Sequence, residues 1–153
     1  MVTYNKILKV FADIASNHKQ IKTFTKGDIF EVDQKDVTFP HAHLITNPVQ
    51  ITQQELTYQF QLIVMDLVEP NESNEEEVLS DTLLMIQDFV SMFLNGSASA
   101  APTMTIDSHE YRLNRSVSCQ PFTERFDTDV SGWVATLNIN VDFKANACEV
   151  PIS

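Results

Sequence analysis

Two histidines, His41 and His43, stand two residues apart, so on an extended chain both side chains point the same way. Imidazoles in that arrangement can share a metal ion, but a closed site needs further donors at recognisable spacing. None accompanies them, and the pair is expected to be surface or interface histidines. Glu69, Glu72, Glu75, Glu76 and Glu77 could attract Ca²⁺. They lack the ordered loop with a central glycine that such a site uses, so a solvated loop and helix start is expected. Cys119 could pair with a distant histidine as a nucleophile, yet no local signature surrounds it. Ser131 before Gly132 is not a nucleophile elbow. Asp127 and Asp129 could be an acid pair, and a turn into the following strand accounts for them better. No catalytic residue, cofactor or metal site is expected, and the chain is not expected to be an enzyme.

The elements that must carry these residues follow from periodicity. From Trp133 the chain alternates: Trp133, Ala135, Leu137, Ile139, Val141 and Phe143 fall on one side. Val134, Thr136, Asn138, Asn140 and Asp142 fall on the other. This predicts a strand with an apolar face and a polar face. Thr57 to Leu67 reads as a long strand whose polar side turns apolar in its second half, so that half should be covered on both faces. Residues 3–17 predict a helix, with Ile7, Leu8, Phe11, Ile14 and Ala15 on one stripe. A second helix is predicted from Ser73, with Ser73 and Glu76 as a capping box and Asn95-Gly96 as the stop. Its stripe is Val78, Thr82, Met85, Ile86, Phe89, Val90 and Phe93. A short β segment is expected at 28–32, and a strand over 37–45 that is either an edge strand or begins after Pro40. Another strand is expected from Tyr111 to Phe122. Residues 96–102 read as a flexible loop and 144–153 as a C-terminal tail.

The expected fold is therefore α+β: one domain over 1–153, an antiparallel-rich mixed sheet with two helices packed on one face. Phe60, Phe89 and Trp133 are the expected core anchors, and the apolar face from Trp133 to Phe143 is expected to pack under the second helix, residues 74–94, against Val78, Met85, Ile86 and Phe89. Asn138 and Asn140 on the polar strand face, with Ser97 and Ser99 in the loop, are candidates for a subunit interface. The loop, with parts of 46–56, is expected to meet a neighbour.

Composition narrows the partners. The chain has 153 residues, 43% of them hydrophobic, which suits a packed core. Ten Lys and Arg oppose twenty-one Asp and Glu, a net charge of −11. Tight binding to a phosphate backbone needs the opposite balance. Three glycines leave little room for a glycine-rich phosphate loop. The amphipathic N-terminus is unlike a signal peptide, and no apolar run is long enough for a membrane span, so synthesis in a cytoplasm is expected. Cys119 and Cys148 are expected to be buried free thiols.

The element order and two local patterns resemble the tail terminator proteins of long-tailed bacteriophages, the family of the phage lambda terminator. The patterns are Phe39-Pro40 at the head of a strand and the capped helix after the long strand of Tyr58 to Leu67. The segment FTERFDTDVSGW, residues 122–133, is also similar to segments of phage neck and tail completion proteins. The resemblance spans nearly the whole chain. It implies a structural virion protein at the head–tail junction: a homo-oligomeric ring, commonly a hexamer, that ends the tail tube and docks the neck. Its partners would be the tail tube and connector, with DNA passing through an acidic lumen without specific binding. A ring, hub or adaptor of a short-tailed phage, or a non-viral interaction module, is the alternative.

Overall fold

Thr3 opens the first helix, α1 (Tyr4–Asn17), in a computed structural model that describes residues 3–28, 38–94, 111–114, 116–125, 129–143 and 145–152. The Thr3 hydroxyl accepts from the Lys6 N–H, which would otherwise lack an intrahelical partner. Ile7, Leu8, Phe11, Ile14 and Ala15 are all buried, as their spacing predicts. Among the described residues seven strands follow: β1 (Thr23–Lys26), β2 (His41–Thr46), β3 (Gln50–Ile51), β4 (Glu55–Leu67), β5 (Tyr111–Leu113), β6 (Ser118–Arg125) and β7 (Asp129–Asp142). The second helix, α2 (Glu75–Leu94), lies between β4 and β5.

The strands form a single mixed sheet in the order β1-β2-β4-β7-β5, with β3 beside β4 and β6 beside β7. β1 runs parallel to β2, and the remaining pairs are antiparallel. Both helices lie on one face. There Phe11 meets Phe60 at 5.2 Å and Phe93 at 4.9 Å between ring centroids. Tyr58, Phe60, Leu62 and Val64 of β4 and Ala135, Leu137, Ile139 and Val141 of β7 complete this core. The fold is thus the α+β arrangement with two helices on one side of the sheet.

The other sheet face carries a second, smaller core of Ile63, Met65 and Val130, with Phe39, Ile45, Phe122 and Val134 packed on it. The second half of β4 is accordingly buried on both faces, the reason its polar alternation stops. Phe60 and Phe89 are wholly buried. Trp133 is half-buried at the edge of the main core, and its indole N–H donates to the Leu79 carbonyl at 2.7 Å.

Several elements differ from expectation. The 37–45 strand takes the second of its two expected forms and begins after Pro40, whose carbonyl accepts from Lys22 N–H at 2.9 Å and sets β1 alongside β2, which was not expected. β1 itself, Thr-Phe-Thr-Lys, is too short to show an alternation and was not expected. The β segment expected at 28–32 lies outside the described residues from Ile29 on. α2 starts at Glu75, not with Ser73 as its cap: the Ser73 hydroxyl donates to the Glu69 carboxylate at 2.6 Å instead. The strand expected over 111–122 is two strands on the same side of β7. Opposite Leu137 and Asn138, the outer chain spends four residues, 114–117, and the break separates β5 from β6. The loop at 96–102, with Ser97 and Ser99, and the stop at Asn95-Gly96 lie outside the described residues. The tail holds one 3₁₀ turn, Ala147–Glu149, and its described residues are exposed.

Candidate functional site

The polar chemistry gathers on the helix-free face of the sheet. It falls into two parts: a buried cluster under β1 and β2, and a half-exposed stripe along β4 and β7.

His41 and His43 are wholly buried, which corrects the expectation of surface or interface histidines. Strand alternation turns both rings to the side away from the helices, and the parallel pairing of β1 brings Thr25 beside His43. The Thr25 hydroxyl lies 2.7 Å from His41 Nε2 and 2.6 Å from His43 Nδ1. His43 Nε2 lies 3.1 Å from the Gly27 carbonyl oxygen. A carbonyl can only accept, so His43 carries its hydrogen on Nε2 when neutral, and its Nδ1 is a lone pair. Thr25 has one hydrogen and donates it to that lone pair. Its oxygen then accepts from His41 Nε2–H, which leaves a bare lone pair on His41 Nδ1. That nitrogen is buried with no hydrogen-bond partner. Burial, reinforced by the neighbouring His43, pushes the His41 pKa down to about 4. Among the described residues, no group of three or more His, Cys, Asp or Glu is placed to hold a metal ion.

The stripe is uncharged. Thr57, Gln59 and Gln61 of β4 stand opposite Asn140, Asn138 and Thr136 of β7 in register, and all six are half-exposed. Thr57 donates to Asn140 Oδ1 at 3.1 Å, and Gln59 Nε2 to Asn138 Oδ1 at 3.1 Å. Asn47 Nδ2 adds a donation to Gln59 Oε1 at 3.0 Å. At one end, Arg112 bridges Asp142 at 3.0 Å and Glu55 at 3.6 Å. Asn138 and Asn140 therefore belong to a cross-strand network. Its partner positions on β4 were visible in the sequence as the polar side of that strand, but their pairing was not.

The remaining expected sites disperse. The acidic run does not converge: Glu69 accepts from Ser73, while Glu75 accepts from Thr123 at 2.9 Å and Ser131 at 3.5 Å. Thr123, Ser131 and Trp133 all bind the first turns of α2. These three side chains thus fasten the sheet to that helix. Cys119 is half-buried and burial raises its thiol pKa, which keeps it protonated and a poor nucleophile. Cys148 is exposed, contrary to the expectation of two buried thiols. Asp129 begins β7, and Asp127 lies outside the described residues. No family model matches the chain, and no curated protein matches it.

Proposed function

We propose that this chain is a structural virion protein of a tailed bacteriophage, acting at the head–tail junction as the subunit of a homo-oligomeric ring that ends the tail tube. One observation carries the reading. A chain of net charge −11 repels its copies, so a stable self-contact must use surface without like charges. The Thr57–Gln59–Gln61 and Thr136–Asn138–Asn140 stripe is such a surface. Amides carry donor and acceptor together, so the stripe can meet protein of either polarity. The element order and the Phe39-Pro40 corner before β2 support the likeness to tail terminators, and the sequence of 122–133 adds its likeness to segments of phage neck and tail completion proteins. In a ring the contacts are heterologous and close on themselves, with six subunits the expected number. The acidic side chains would face the lumen, where DNA passes without sticking.

The test is negative-stain microscopy and native mass spectrometry of the purified protein, followed by reconstruction of the virion that contains it. A ring with the stripe at or beside the subunit contact is expected. An isolated single copy in the particle, or a lumen lined by Lys and Arg, would sink the reading. Portal and major tail protein genes beside its gene would be the corresponding genomic observation.

A further inference from the structure

The tail and the β3–β4 hairpin lie at the same end of the molecule, and each leaves apolar side chains in water. Phe143, where the tail leaves β7, donates its N–H to the Gln54 carbonyl at 2.9 Å, so the root of the tail sits against the turn between β3 and β4. A cleft of about 470 Å³ there is lined by Gln53, Gln54, Asp142, Phe143 and Ala145. Local hydrogen bonds shape the tail beyond it. Asn146 Oδ1 accepts from Cys148 N–H at 3.1 Å, Val150 N–H donates to the Ala147 carbonyl at 3.3 Å, and Ile152 N–H donates to the Val150 carbonyl at 2.8 Å. In that shape Val150 is 50% and Ile152 83% exposed. On the hairpin Val49 is 39% and Ile51 69% exposed. Within one chain, tail and hairpin are neighbours that do not cover each other.

Charge points to what covers them. Residues 37–54 contain no Asp, Glu, Lys or Arg, and the one charged residue in 145–152 is Glu149. In a chain of net charge −11, these are surfaces on which two copies repel least. A ring contact joins two different patches of the same chain, and tail and hairpin are such a pair. The hairpin is also continuous with the polar stripe: Gln50 stands opposite Thr57, and Asn47 donates to Gln59. A tail already shaped by its own hydrogen bonds loses little freedom on docking. We propose that Val150 and Ile152 of each copy dock on Val49, Ile51 and the adjoining cleft of another copy of this chain. This rests on the reading of the chain as a self-assembling subunit and names a second part of its contact.

Cross-linking of the full chain tests this, because Cys148 places an exposed thiol in the tail. A variant carrying Ile51→Cys and Cys148→Ser is mixed with the unaltered chain at high salt, which screens repulsion between copies, and treated with a short bismaleimide. A link between position 51 of the variant and Cys148 of the unaltered chain is expected, mapped by mass spectrometry. Leu84→Cys with Cys148→Ser is the control: its site on α2 is 52% exposed and should give no such link. In sedimentation velocity, Ile51→Ser and Ile152→Ser should each weaken self-association on the order of 10-fold. Combined, they should do little more than either alone, since both remove one contact. A link no stronger than at position 84 would overturn the docking. So would self-association unchanged by either serine, which would assign the tail to a different protein. A ring that forms without the link leaves the ring reading standing and removes the docking. The link found in a closed dimer does the reverse, and a chain that neither associates nor links overturns both.

Discussion

Thr25 joins two rings through one hydroxyl, so replacing it should be costly out of proportion to its size. Thr25→Val keeps the shape and strands His41 Nε2 and His43 Nδ1; a loss of about 1–3 kcal/mol in urea denaturation is expected. The pH dependence has a defined sign. His41 binds its proton near 6.5 when unfolded and near about 4 when folded, so the unfolded chain takes up protons first. Stability from this residue is complete above 6.5, falls as pH drops towards 4, and levels off below. The total is at most ~3 kcal/mol, read from urea midpoints across that window. Trp133 is a different case. Trp133→Phe removes the N–H donated to Leu79 and should cost about 1 kcal/mol. Trp133→Ala should cost about 2–3 kcal/mol, less than a wholly buried aromatic, because the ring is half-buried. The sequence places both histidines on one side of a strand, but burial depends on what packs over that side, and a two-residue spacing is silent on it. Thr25 was invisible for the same reason: its role comes from a parallel pairing with β2.

Among the elements, the β4–β7 ladder has the least tolerance. A Cβ added at Gly132 would meet the Val64 carbonyl oxygen and lie 2.9 Å from Met65 Cα. Backbone cannot step aside as a side chain can. Gly132→Ala should therefore cost at least ~2 kcal/mol and lower the melting temperature. The long elements were legible because each repeats its period several times: α1, β4, α2 and β7 emerge close to their predicted bounds. The short ones were not. β1 has four residues, and β5 and β6 are separated by a local surplus of chain that apolar alternation does not mark. At the start of α2, several side chains could cap. Ser73 lost the role because Glu69, held close by the turn, takes its hydroxyl.

At the scale of the whole molecule, the ring reading sets charge against contact. Copies of net charge −11 should assemble better as salt screens their repulsion. Raising NaCl from about 0.05 M to about 0.5 M should increase the assembled fraction in sedimentation velocity. Asn138→Ala with Asn140→Ala should leave the monomer within about 1 kcal/mol of its original stability, since water can replace half-exposed amide contacts. Assembly should weaken if the stripe is the subunit contact, and an unaffected ring would place the contact elsewhere. The central ladder also governs how the chain reaches this state. Its partners lie far apart in sequence, from Leu67 with Val130 to Glu55 with Asp142, and α2 must be spanned before any of them meet. Closing such long loops is entropically uphill until the contacts form, which places folding at milliseconds to seconds rather than microseconds. During translation β4 emerges well before β7. For that interval the run from Tyr58 to Met65, apolar on both sides in its second half, waits without its main partner. A strand in that condition can pair with another chain. The architecture therefore makes yield depend on concentration: refolding by dilution should lose more protein to aggregates as the final concentration rises, with β4 at their centre.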